Sequence, residues 1–112
     1  MTTLFRPVGP KELKLIEALD WKKFPPRLFW QSFFYPVLNA QYATEITKWN
    51  LDEQGSGYVL RFDVNDEFLK QYVIKTVGDR YHQEYWIPAD DLDKFNENIE
   101  GTIELIASFE SE

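Results

Sequence analysis

The residues with the greatest chemical potential lie in one short run, His82-Gln83-Glu84-Tyr85-Trp86-Ile87-Pro88. The alternation of an extended strand places His82, Glu84 and Trp86 on one face, and Tyr81, Gln83, Tyr85 and Ile87 on the other. A polar trio then shares a surface. The same spacing also suits a solvated Glu84 with Trp86 packed beneath a loop, and a lone His82 satisfied in the core or at the surface. His82 is the chain's single histidine and there is no cysteine, so a metal site would need carboxylates from elsewhere, and Cys-ligated zinc and thiolate nucleophiles are excluded. A Ser-His-acid triad can be written with His82, but no serine stands on a recognisable elbow. Walker, GxGxxG, HExxH and GxSxG patterns are all missing, which argues against the common phosphate, dinucleotide, zinc-protease and hydrolase sites.

The elements that must position these residues follow from periodicity. Thr3-Leu4-Phe5-Arg6 is β-prone, Pro7 and Gly9 punctuate it, and Pro10 opens a helix to about Asp20 with Leu13, Ile16 and Leu19 as its buried stripe. Trp21 to Trp30 contains Pro25-Pro26 and has no period. It reads as an ordered loop anchored by Trp21, Phe24, Phe29 and Trp30. Ser32 to Tyr35 is a second strand that Pro36 limits to an edge or a strand end. Asn39 caps a second helix to about Lys48, whose stripe is Tyr42, Ile46 and Trp49 with Ala43 beside them. Asp52 to Gly57 is a turn cluster, and Tyr58, Leu60, Phe62 and Val64 mark the clearest strand. Tyr72–Val77 and Tyr81–Ile87 alternate around a Gly78-Asp79 turn. Ala89 or Asp90 opens a third helix bearing Leu92, Phe95 and Ile99, which Gly101 is placed to terminate. Thr102 to Phe109 is the last strand, with Ile103, Leu105, Ala107 and Phe109 on its core face and the other face in water. This order predicts one α+β domain over 1–112 with a mostly antiparallel sheet and about three short helices.

Composition bounds the function. Aromatic residues make up 17% of the chain, enough bulky apolar surface for a core without staples. A net charge of −7 argues against a binder of the nucleic-acid backbone. Lys22, Lys23 and Arg27 lie close together beside the Pro-Pro pair, a pattern that fits a solvated loop as well as a basic pocket. No apolar run approaches the length that spans a bilayer, the first residues carry neither a basic nor an apolar leader region, and the lack of cysteine agrees with the cytoplasm.

Read as a whole, the chain resembles the small bacterial proteins catalogued as ADP-ribosylation/crystallin J1 proteins, and more distantly the ADP-ribosyltransferase fold. The resemblance is carried by Leu4-Phe5-Arg6-Pro7-Val8-Gly9 with Glu12-Leu13 and Leu15-Ile16, by Phe24-Pro25-Pro26-Arg27, by Phe34-Tyr35-Pro36-Val37-Leu38-Asn39 with Tyr42-Ala43, and by His82-Gln83-Glu84 with Trp86-Ile87-Pro88-Ala89. It implies a compact ADP-ribosyltransferase-like domain that uses NAD as substrate and no metal. Arg6 would hold the ribose or pyrophosphate, Tyr35 would stack on nicotinamide, and Glu84 would bond the ribose 2′-hydroxyl and stabilise an oxocarbenium-like state, with His82 and Trp86 beside it in the cofactor site. Two features depart from the family's patterns: His82 stands where many transferases that modify protein side chains carry Glu or Gln, and only Gln31-Ser32 stands where the arginine-modifying group has a Ser-Thr-Ser type of motif, which disfavours transfer to arginine. The resemblance therefore names no acceptor. Its alternative is an inactive member of the fold that binds a nucleotide or a partner protein.

Overall fold

The computed structural model describes residues 1–111. Its elements run β1 (Thr2–Val8), α1 (Pro10–Ala18), β2 (Phe33–Phe34), α2 (Ala40–Trp49), α3 (Leu51–Gln54), β3 (Ser56–Val64), α4 (Asp66–Leu69), β4 (Ile74–Thr76), β5 (Gln83–Tyr85), β6 (Ile87–Pro88), a 3-10 turn (Ala89–Asp91), α5 (Leu92–Glu97) and β7 (Ile99–Glu110). Helices and strands are mixed, and the named strand pairs are antiparallel: β1–β3, β3–β7, β2–β6 and β4–β5. None of the helices is long and apolar enough to cross a membrane among the described residues. Five α-helices occur among those residues instead of about three, because two single turns escape periodicity. α3 occupies the expected turn cluster and ends at Gly55 with φ +78°, and α4 starts where the Asn65 side chain accepts the Phe68 N–H at 3.2 Å.

β3 is the centre of the three-stranded sheet β1-β3-β7. Leu60, Phe62 and Val64 are buried, and Phe62 packs edge-on against Phe24 at 4.8 Å and Phe95 at 6.1 Å between ring centroids. The opposite face is not simply wet, as alternation predicts. There Val59 is also buried, under α2, in a second cluster with Val37, Tyr42 and Ala43. The helix comes close because Gly57 has no side chain: a Cβ at that position would lie 2.4 Å from Thr47 Cγ2. Hence α2 buries Tyr42, Ala43 and Thr47, while Trp49, expected in the stripe, is 63% exposed. The Thr47 hydroxyl is satisfied by the Ala43 carbonyl at 2.8 Å.

Other expectations are corrected by local geometry. Pro7 does not end β1 but pairs with Val59, because its missing N–H faces the outer edge of the strand. In α1 only Ile16 is buried, and the helix ends at Ala18. Phe29 and Trp30 do not anchor their loop: they are 96% and 65% exposed on the turn closed by the Gln31 N–H to Leu28 carbonyl bond. Of Tyr72–Val77, only Ile74–Thr76 forms a strand, and it is exposed. Ile99 begins β7 instead of continuing the third helix. Gly101 does not terminate a helix. Its φ of +81° lies within β7, where the register against β3 slips between Arg61 and Asp63. A second slip, between Val59 and Leu60, leaves Ile106 unpaired and changes the phase of β7. Ile103 therefore joins the Phe62 core, Ala107 and Phe109 join the α2 side, and Leu105 is exposed.

Candidate functional site

β2 and β6 pair Phe33 with Pro88 and Phe34 with Ile87, and the same register carried on through the chain pairs Val37 with Glu84. Segment 33–38 therefore runs along 83–88 as one antiparallel ladder, strengthened by Tyr85 N–H to Pro36 O at 2.9 Å and Leu38 N–H to Gln83 O at 3.1 Å. Tyr35 faces Trp86 across it, with their rings edge-on at 5.8 Å.

This ladder is tied to β1 through a single rung. Phe5 and Val37 exchange both backbone hydrogen bonds, each 2.8 Å. In an antiparallel pair such rungs fall on alternate residues, so the next ones would join Pro7 to Tyr35 and Thr3 to Asn39. Pro7 has no N–H to give, and Asn39 turns away to cap α2 by accepting the Tyr42 N–H at 2.8 Å. The strands therefore part beside Pro7 and Tyr35. A cleft of about 350 Å³ opens there, and Arg6, Arg27, Tyr35 and Glu84 are among its lining residues, with Ile46 and Asn50 of the α2 end closing one side.

The geometry brings together three of the residues singled out from sequence, Arg6, Tyr35 and Glu84. Glu84 lies on the face that α2 covers, about 10 Å from Phe5 by two strand spacings. Both of its oxygens are held: Tyr42 OH donates to one at 2.9 Å and Trp86 Nε1 to the other at 2.7 Å. Burial, and then the bond to Glu84, push the Tyr42 phenol up to about 12, so it remains a donor. Trp86 thus orients the carboxylate and buttresses Tyr35 without lining the cleft. His82 is also outside the lining residues. It stacks on the Tyr42 ring at 4.4 Å, and its Nε2 lies 3.1 Å from Glu45 Oε1. Tyr81 OH donates to the other Glu45 oxygen, and this bond holds the Glu45 carboxyl below its ordinary value. His82 is therefore a brace behind Tyr42.

Arg6 projects from the other face of β1, with Leu4 and Val8, and its guanidinium lies 4.5 Å from the Phe34 ring centroid. It reaches the cleft at the gap beside Pro7. A fork of bonds ties it to Glu12, Nε to Oε2 at 2.6 Å and an Nη to Oε1 at 2.9 Å. Arg27 covers the same ring at 5.9 Å and donates its Nε to the Phe33 carbonyl at 3.1 Å. Its loop neighbours Lys22 and Lys23 are exposed, so the three cations do not form one patch.

Glu12, Arg27 and Tyr42 were not distinguishable as site residues from local spacing. Glu12 read as the polar side of α1, Arg27 as one of three cations in a solvated loop or basic pocket, and Tyr42 as helix stripe. Among the described residues no group of three or more His, Asp or Glu side chains is placed to hold a metal ion. The fold is a mixed α and β architecture with antiparallel sheets, and its cleft pairs two guanidiniums with a carboxylate and an aromatic wall. No protein-family model matches the chain, and neither the curated proteins nor the solved structures compared with it give a match.

Proposed function

We propose that the protein is an ADP-ribosyltransferase-like nucleotide-binding module whose cleft receives the ribose and phosphate portion of NAD or a related nucleotide. One observation carries this reading. Guanidiniums, an aromatic ring and an oriented carboxylate, which come from four separate stretches of chain, converge on one opening. A nucleotide offers the matching groups: an anionic phosphate, a planar base and a ribose diol that donates to a carboxylate. The antiparallel α+β architecture and the sequence resemblance support the same assignment.

A second reading, cleavage of the nicotinamide–ribose bond, is favoured by the fixing of Glu84. A carboxylate held by Tyr42 and Trp86 retains lone pairs for a ribose hydroxyl, and its charge suits an oxocarbenium-like state. Against turnover, Arg6 spends its fork on Glu12.

The test is titration with NAD and with ADP-ribose, followed by tryptophan fluorescence and calorimetry. Binding should quench emission, and Trp86→Phe should remove most of the quench. Absence of heat and of quench at millimolar concentrations of both ligands overturns the binding reading. Release of nicotinamide that Glu84→Gln abolishes decides for the enzyme, and binding without release decides for the module.

A further inference from the structure

Resting on the nucleotide reading, we infer that Arg27, and not Arg6, is the residue that grips the ligand's phosphate or pyrophosphate group. The bonding capacity of the two guanidiniums differs. Arg6 directs Nε and one Nη at Glu12, and that carboxylate thereby commits both oxygens to it. Arg27 has one side-chain hydrogen bond among the described residues, from Nε to the Phe33 carbonyl. Its Nη1 lies 4.0 Å from Glu12 Oε1, an electrostatic contact too long for a hydrogen bond. The Arg27 side chain is only 13% exposed. Yet no fully buried side-chain nitrogen or oxygen lacks a partner among the described residues, so its terminal nitrogens keep access to solvent, and the residue lines the cleft as well as a second depression beside Gln31 and Asp90.

The charge balance points the same way. Two largely desolvated cations share one carboxylate at this end, which leaves an excess positive charge where burial makes it costly. Burial and the like charge of Arg6 push the Arg27 guanidinium below its ordinary value, with Glu12 opposing them. An anion docked on the outer edge of Arg27 supplies the missing counter-charge. The guanidinium is already oriented by the Phe33 carbonyl and the Phe34 ring, so little side-chain entropy is lost on binding. Glu12 is then a positioning residue. It holds Arg6 off the ligand and offsets the repulsion between the two like charges.

Two ligand series test this. Wild-type protein is titrated with inorganic pyrophosphate and ADP-ribose, which carry the anion, and with nicotinamide riboside, which lacks it. Arg27→Gln should weaken the first two by about tenfold or more, the scale of a lost charge-assisted hydrogen bond, and leave the third within about twofold. Arg27→Lys, which retains the charge but not the fork, should fall between, and it serves if the Gln variant does not fold by circular dichroism. Equal loss for all three ligands, or none for either variant, overturns the assignment, as does a wild-type protein that binds neither pyrophosphate nor ADP-ribose. Wild-type binding of pyrophosphate that Arg27→Gln removes, with no binding of either nucleotide compound, keeps the anion site and sinks the nucleotide reading alone.

Discussion

Replacing Glu12 by Gln removes one charge and almost no volume, and the site then contains two guanidiniums over one aromatic ring with no anion between them. The side chains of Arg6 and Arg27 are 10% and 13% exposed, and that of Glu12 is 23% exposed. Breaking a fully buried ion pair by deleting one partner costs about 3–5 kcal/mol. Partial access of water to Glu12 reduces this, and we expect a loss of about 2–4 kcal/mol, a large share of the roughly 5–15 kcal/mol that holds a domain together. Urea denaturation at neutral pH measures it. The double variant Arg6→Met, Glu12→Gln should lose less than the two single changes added together, because it removes the stranded cation along with the carboxylate. A loss below about 0.5 kcal/mol for Glu12→Gln, or strict additivity in the double variant, would show that water screens the cluster and that Arg27 carries no uncompensated charge.

Phe62→Ala, at 1% exposure between Phe24 and Phe95, should cost about 3–5 kcal/mol in denaturant melts, and a loss below about 1 kcal/mol would mean that this ring is not central to the core. The Tyr42 phenol is raised from 10.0 to about 12, so the fold favours its neutral form. That stability is complete below pH 10 and is lost as pH rises through 12; phenolate absorbance against pH should show a late-titrating tyrosine that Tyr42→Phe removes. The Glu45 carboxyl is held low, so its contribution is present above the ordinary glutamate range and is lost on acidification. Glu45→Gln should flatten the acid limb of a thermal-melt series. Gly101→Ala meets no neighbour within 4 Å, so its cost, about 1–2 kcal/mol, should come from the left-handed backbone alone.

The strands and helices that carry the site were largely legible, because each shows its own period. Alternation marked Tyr58 to Val64, the cap at Asn39 marked the start of α2, and the dense aromatics marked 33–35. What local pattern did not reveal was which face won. Trp49 has the apolar surface that should be buried, but Gly57 admits Thr47 instead, and this close approach depends on a residue eight or more positions away. The phase change in β7 comes from two register slips, and Gly101 looks the same in sequence whether it ends a helix or bends a strand. For the site, the expected trio of His82, Glu84 and Trp86 is linked through Tyr42 and Glu84, but its members divide into a brace, a lining carboxylate and a buttress. Arg27 and Glu12 gain their significance only from Phe34, whose ring Arg6 and Arg27 share.

The rung between Phe5 and Val37 is the one backbone link between the two walls of the cleft among the described residues, although side chains of both walls pack into shared cores. One wall belongs to the sheet of β1, β3 and β7, and the other to the ladder of 33–38 with 83–88. Pro36, beside Val37, and Pro7, two residues beyond Phe5, carry no amide proton, so the Phe5 and Val37 N–H groups are the ones that report on the seam. Their two amides should exchange together, at the rate at which the walls part, and a ligand that bridges the walls should slow both by the same factor. The width of the opening becomes a quantity that two protons can read.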